Sequence, residues 1–410
     1  MKRIVFVDDE PNVLAGLRNL LHKQRGAWHM IFANSAQDAL AALDMAPVDV
    51  IITDMRMPGM DGATLLQKTK EKHPSVARII LSGHAEEDAI ARALPVAHQF
   101  LNKPCDADAL RTVIERACEL RTLLANERIQ KAVGGLSKLP SVPETYWELI
   151  RVAVSSRVSV RDVSQIVERD PAMSAKVLQM VNSAYFGLAQ RITSVQQAVA
   201  YLGMDVFKGL ALSAHIFSAM EEGARVRGFS LDALQETSLI TAKVARRLLV
   251  GQESAEVAFT AALVHDVGQI VLALVAPNEF AEALALSKKT GRPIYQTEKE
   301  VCGVTHAETG AYLLGVWGLP FPIVEAVAYH HNPRFVSHAR FDLICAIHVA
   351  DALVDIMRSD PREREADPWG KLDRTLLEKL DLMPELSRWR AIAREECCPK
   401  WLRHEEKCKD

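Results

Sequence analysis

An excess of charge of either sign is missing from this chain: 49 Lys and Arg stand against 52 Asp and Glu, a formal charge of −3. That balance excludes the broad basic footprint of a protein whose main partner is nucleic acid or an anionic membrane. The opening "MKRIVFVDDE" has four apolar residues and then three acids, which is no signal-peptide core, so a secretory leader is not expected. Cysteines are few, seven in 410 residues, odd in number and scattered. This excludes a disulfide framework and fits a reducing cytosol, so a cytoplasmic location is expected. The closest group, Cys397, Cys398 and Cys408 with His404, lacks a recognisable zinc spacing. No uninterrupted apolar run is long enough for a membrane span. The longest stretch, Val257 to Ala276, is broken by His265, Asp266 and Gln269, which predicts a buried helix or helix pair. Internal repeats and low-complexity segments are absent.

What is present is ample core material, 49% apolar residues in a chain long enough for two or three domains. Over the first ~105 residues, "RIVFVD", "HMIFA", "VDVIITD", "ARIILS" and "HQFL" read as five strands. Helix-period segments such as "PNVLAGLRNLLHKQ" and "SAQDALAALDMA" separate them, which predicts a doubly wound parallel sheet covered on both faces. From Asp106 the pattern turns helical, with apolar residues at 110, 113, 114, 117, 120 and 124. The expected divisions are a sheet domain over 1–120 and a connector helix over 106–135 stopped by Gly134–Gly135. An all-helical domain over 136–350 and a charged helical extension over 351–410 follow.

Chemistry in open parallel sheets gathers beyond the carboxyl ends of the strands. Reading each strand to its end gives Asp8 and Asp9, then Asp54, then Ser82, then Lys103 followed by Pro104. Three converging carboxylates call for a cation, and hard oxygen ligands suit Mg²⁺. A lysine and a hydroxyl beside them supply what a transferred phosphoryl group needs. The motifs "VDD", "DMRMPGMDG", "LSG" and "KP", in that order, closely resemble a response-regulator receiver domain. The resemblance implies Asp54 as phosphoacceptor and Asp8 and Asp9 as Mg²⁺ acids, joined by the carbonyl of Met55 or Arg56. It implies Ser82 as switch hydroxyl, Lys103 as phosphate partner and Phe100 as the aromatic that follows the switch.

In the helical half, "RDPAMSAKVLQMVNSAYFG" followed by "ITSVQQAVAYLG" resembles the HDOD output domain, a relative of the HD phosphohydrolases. Asp170–Pro171 is a helix start, with Pro at the first helical position after an Asp cap. Met173, Val177, Met180 and Val181 form a buried stripe, and Gly187 and Gly203 end helices. The stretch "SVQQAVAYLGMDVFKGLAL" mimics a helix-turn-helix, but its second helix is mostly apolar with one lysine, which disfavours DNA binding. Trp147, Trp317, Tyr185 and Phe186 read as core or interface anchors.

An HD-type metal site draws ligands from several helices. The candidates are His265 and Asp266 in "LVHDVGQIVL", His306, His330 and His331 in "AYHHNP", and Asp351. Three departures weaken a hydrolase. Thr237 stands near the place of the leading His, and Gln269 replaces the phosphate-meeting Lys of the cyclic-di-GMP phosphodiesterase branch. The Gly-Tyr-Pro loop of that branch is also missing after His331. A vestigial, hydrogen-bonded network is the favoured reading, with a non-catalytic divalent metal and a working hydrolase as alternatives. The expected function is a two-component response regulator phosphorylated on Asp54 by a sensor histidine kinase. Its helical domain would signal by protein contact, in a possible homodimer, without nucleic acid or membrane partners. A receiver-controlled phosphohydrolase is the alternative, and a DNA-binding regulator a weaker one.

Overall fold

The computed structural model describes residues 1–82, 93, 96–103, 105–124, 129, 148–149, 152, 159–182, 192–220, 226–252, 254–317, 319–338, 340–359 and 369–397. Two compact units divide the chain. One gathers Met1–Glu127, Ile150–Val158 and Leu314–Pro322; the other gathers Arg128–Leu149, Ser159–Leu313 and Ile323–Asp410.

In the first unit, β1 (Lys2–Val7), β2 (Trp28–Ala33), β3 (Val50–Thr53), β4 (Ala77–Ser82) and β5 (Gln99–Asn102) form one parallel sheet in the order β2-β1-β3-β4-β5. Ile4 to Val7 and Val50 to Thr53 are buried without alternation, as expected of strands covered on both faces. The covering helices are α1 (Pro11–Leu20), α2 (Ala36–Met45), α3 (Gly62–Lys72) and α4 (Ala107–Leu124). Pro11 starts α1, while Ser35 and Asp61 cap α2 and α3 by accepting from the amides of Asp38 and Thr64. The strand order reverses between β1 and β3, and the acids that follow those two strands flank the resulting crevice.

Beyond Asn102 the described residues form only helices and turns. α5 (Val160–Glu168) opens on a capping box between Ser159 and Asp162. α6 (Pro171–Val181) starts as the sequence predicts: Asp170 accepts from the Met173 amide at 3.0 Å, and Met173, Val177, Met180 and Val181 are buried. Gly203, at φ 81°, ends α7 (Val195–Leu202). α8 (Met204–Met220) buries Val206, Phe207, Leu210, Ala211, Ala214 and Phe217, and its Lys208 pairs with Asp205.

The apolar stretch from Val257 is two helices, α10 (Ala255–Leu263) and α11 (Val267–Val275), broken at His265–Asp266. Residues 255–275 are long and apolar enough to cross a membrane, yet 72% of the most apolar window is buried inside the protein. α9 (Leu231–Leu248) packs on α10, on α16 (Leu343–Arg358) and on α18 (Leu386–Cys397). Between them lie α12 (Pro277–Thr290), α13 (Ile294–Val301), α14 (His306–Val316) and α15 (Phe321–Tyr329), with α17 (Arg374–Lys379) before α18. Because α16 is continuous through 350/351, the division placed there on sequence falls inside a packed helix. Trp317 is buried. Trp147, Tyr185, Phe186, Gly187, Gly134–Gly135, the connector past Leu124, and Cys398, His404 and Cys408 lie outside the described residues.

One backbone approach fixes the helical unit around its polar centre. A Cβ on Gly268 would lie 1.8 Å from the carbonyl oxygen of His306 and 2.7 Å from the Gly310 nitrogen. Only glycine lets α11 and α14 touch backbone to backbone. Gly268→Ala is therefore expected to cost on the order of 2–3 kcal/mol, lowering the thermal midpoint of this unit by roughly 5–10 °C. Gly209→Ala is the milder comparison, since its Cβ meets the Thr260 hydroxyl, which can rotate, at 2.8 Å. Equal midpoints for Gly268→Ala and wild type, measured by calorimetry, would contradict the close-approach argument.

Candidate functional sites

At the carboxyl edge of the sheet, the Lys103 ammonium bridges two carboxylates, at 2.7 Å from Asp8 Oδ2 and 2.6 Å from Asp54 Oδ1. Asp8 is buried and accepts from the Glu10 amide at 3.0 Å; Asp54 accepts from the Arg56 amide at 2.6 Å. Burial opposes the Lys103 charge, but its bonds and attraction to Asp54 and Asp8 prevail and raise its pKa. The "MDG" corner closes over Asp54: the Gly62 amide donates to Met55 O at 2.9 Å, and a Cβ there would lie 2.1 Å from Asp54 O. Asp9 follows Asp8, half-buried. Ser82 ends β4 in register with Asn102, its side chain outside the described residues. Phe100 pairs in register with Ile80, half-buried against the core. Asp8 and Asp54 place carboxylate oxygens on either side of one lysine, hard donors of the type that suit a divalent cation.

The second site is built on the break between α10 and α11. Adjacent residues of a helix diverge by about 100°; in this turn His265 and Asp266 instead face one centre. His306 starts α14, His330 and His331 follow α15, and Asp351 lies on α16. All six sequence candidates thus come together. His265, His306 and His330 are 0% exposed.

Three of the imidazoles are oriented from behind. Nδ1 of His265 donates to Ala262 O at 2.7 Å, Nδ1 of His330 to Val327 O at 2.7 Å, and Nδ1 of His306 to Glu298 Oε2 at 2.6 Å. Each therefore presents Nε2 inward, the arrangement by which outer partners orient metal-ligating histidines. His306 Nε2 lies 3.1 Å and His330 Nε2 3.6 Å from Asp266 Oδ1, and His306 Nε2 is 2.8 Å from His331 Nε2. His265 Nε2 stands 3.6 Å from Asp266 Oδ2 and 3.5 Å from Asp351 Oδ1. Those last separations are long for N–H···O bonds. His265 Nε2, His330 Nε2 and Asp266 Oδ1 are buried without a hydrogen-bond partner. Ligands at 2.0–2.2 Å from one cation lie about 3–3.5 Å apart, and the separations here run from 2.8 to 3.6 Å. One ligand set is Asp266, His306, His330 and His331, and a second is His265, His330 and Asp351.

Charge follows geometry. Burial opposes charging His265 and His306, but Asp266 with Asp351, and Glu298 with Asp266, raise them to about 9 and about 10. Burial and the neighbouring cationic rings lower His330 and His331. Burial also opposes ionising Asp266 and Asp351, yet His265 and His306 hold the first well below the usual carboxylate range. His265 and Lys371 hold the second at about 2. Without a metal ion, protons on the rings balance the carboxylates.

Four residues escaped sequence reasoning. Glu298, 0% exposed, orients His306 from inside a helix that reads as a charged surface. Lys371, raised by Asp351 and Asp355 against burial, lies 3.4 Å from Asp355. Tyr295 stacks on His331 with centroids 4.4 Å apart, and His348 donates to His330 O at 2.7 Å. The departures also have structures. Thr237 turns its hydroxyl back onto Ala233 O at 2.8 Å, and Gln269 donates to Asp266 Oδ2 at 2.9 Å.

The response regulator receiver domain model matches residues 4–115, and the HDOD domain model matches residues 139–333. An uncharacterised protein of Treponema pallidum (strain Nichols) is 21% identical over 273 residues, 66% of this chain and 52% of that protein. The transcriptional regulatory protein GlrR of Escherichia coli (strain K12) is 33% identical over 158 residues, 38% of this chain and 34% of its own length. The chain thus spans about half of the first relative and about a third of the second. A crystal structure of an HDOD domain protein of unknown function from Geobacter sulfurreducens superposes with a TM-score of 0.50 at 22% identity. It covers 68% of this chain and 99% of its own, a likeness of fold. A crevice built on Asp8, Asp54 and Lys103, a helical unit built around His265–Asp266, and these two family matches make the chain a response regulator with an N-terminal receiver domain and a C-terminal HDOD domain.

Proposed function

We propose that Asp54 stores a phosphoryl group received from a sensor histidine kinase, and that the HDOD domain signals this state by protein contact rather than by turnover. The observation that carries the first half is the Lys103 ammonium held between Asp8 and Asp54. A carboxylate oxygen of Asp54 attacks phosphorus, the P–N bond to the kinase imidazole breaks, and the imidazole leaves with the bonding pair. Asp8, Asp9, Asp54 and the carbonyl of Arg56 would hold Mg²⁺, which when bound would neutralise charge on the phosphoryl oxygens. Lys103 balances the added charge, the Ser82 hydroxyl turns toward it, and Phe100 follows. The receiver extends over 1–120, the connector over 106–135 and the HDOD unit from 136 through α16. A cytoplasmic location, a kinase partner, a downstream protein and a possible homodimer complete this reading.

For the HDOD site, the inward Nε2 atoms and orphaned Asp266 Oδ1 support a divalent cation held by Asp266, His306, His330 and His331. This revises the preference for an ion-free network. The cation there has a structural task, because Thr237 contributes nothing to the centre and Gln269 is tied to Asp266. A second reading, a receiver-controlled metal-dependent phosphohydrolase, draws support from the same convergent nitrogens and from Lys371 beside them.

Acetyl phosphate with Mg²⁺ is expected to add one phosphoryl group per wild-type chain by intact mass, and none to Asp54→Asn or after chelation. Equal labelling of wild type and Asp54→Asn would refute the site. With Mn²⁺ supplied, wild type is expected to hydrolyse bis(p-nitrophenyl) phosphate no faster than metal alone. Turnover that disappears in His265→Ala would replace the contact output with the hydrolase.

A further inference from the structure

A second cluster of metal-ligating side chains lies apart from both sites, where the chain enters α16. His338, Asp342 and Cys345 each offer one ligand atom, all within 4.8 Å of one another. Asp342 caps α16 through Oδ1, which accepts from the Cys345 amide at 3.1 Å. Its other oxygen, Oδ2, is 2.8 Å from His338 Nδ1, and Cys345 Sγ is 3.4 Å from that same nitrogen. His338 is 8% exposed and Cys345 0%.

The tautomer of His338 makes this a ligand set. Its Nε2 is 2.7 Å from Pro333 O, an acceptor only, so Nε2 carries a hydrogen. Nδ1 then faces the Asp342 carboxylate oxygen and the Cys345 sulfur, and pairs with both. Two electron-rich atoms at 2.8 Å need a positive centre between them, which is either a second ring proton or a cation. The backbone carbonyl behind the ring and the cap behind the carboxylate fix both groups from outside, as outer partners do at zinc centres. For N at about 2.0 Å and S at about 2.3 Å from a tetrahedral ion, the N···S separation is about 3.5 Å, against 3.4 Å here. The N···O pair opens by a few tenths of an ångström to suit an ion. The thiolate selects a borderline-soft metal over Mg²⁺ or Ca²⁺.

We propose that His338, Asp342 and Cys345 bind Zn²⁺ or a similar transition-metal ion through one nitrogen, one oxygen and one sulfur. A fourth position is left for water or an added ligand. The ion takes the place of the His338 ring proton and the Cys345 thiol proton, both released to solvent. It staples the loop after His331 to the first turn of α16, and so fixes the helix that presents Asp351 to the histidine centre.

Sulfur separates this site from the histidine cluster, which contains none. The test is the near-ultraviolet absorption of the full chain, under reducing conditions, as Co²⁺ is added. The expected result is a thiolate-to-Co²⁺ charge-transfer band that saturates in wild type, is lost in Cys345→Ser, falls at least tenfold in apparent affinity in His338→Gln, and persists in His306→Ala, where the histidine centre is disabled. Far-ultraviolet circular dichroism of Cys345→Ser matching wild type shows that the loss is of a ligand and not of the fold. No band in wild type, or a band of equal strength in Cys345→Ser, overturns the proposal.

Discussion

The helical half is organised by one electrostatic problem, a buried carboxylate that cannot stand alone. Removing an ion the size of the Asp266 carboxylate from water costs several kcal/mol after relaxation. Only facing positive charge or a cation offsets it. Here His265, His306 and His330 face that group, each held from behind by a backbone carbonyl or by Glu298. The backbone contact at Gly268 follows from the same need, since His306 reaches Asp266 only when α14 lies against α11 without a Cβ between them. Asp351 brings α16 into the same balance, and α16 in turn packs on α9, α10 and α18.

The receiver half meets like-charge repulsion in a different way. Asp8 and Asp54 share a lysine that is half-buried and attached to the following strand end. A lysine on a flexible stem can be redirected when a phosphoryl group arrives, whereas buried imidazoles held from behind at Nδ1 cannot. On the proposed reading, that contrast assigns transient chemistry to the receiver and a fixed assembly to the HDOD unit.

Much of this was legible in the residues. Continuous apolar runs ended by Asp, Ser and Lys gave the five parallel strands and the composition of their carboxyl edge, since strand ends are set by local pattern. The Asp170–Pro171 start and the Gly203 stop were equally local. The six groups of the histidine centre were also identifiable by type, but their state was not. Whether lone pairs converge depends on what stands behind each ring, and Glu298 sits among charged neighbours in "TEKEV" that look like a solvated face. Lys371 and the His338–Asp342–Cys345 cluster depend on tertiary approach by segments with no period of their own. The division at 350 shows the same limit: composition does not reveal that α16 runs on through Asp351 to Arg358.

The most direct test of the account is the coordination of the ion proposed at Asp266. X-ray absorption on a Cys345→Ser chain, which removes the sulfur-containing site, loaded with one equivalent of Zn²⁺ in excess Mg²⁺ to occupy the receiver carboxylates, reads that shell. The account predicts nitrogen and oxygen neighbours at about 2.0–2.2 Å with the outer-shell scattering of several imidazoles, both lost in Asp266→Asn. Zinc that washes away, or an all-oxygen shell without imidazole scattering, would contradict it.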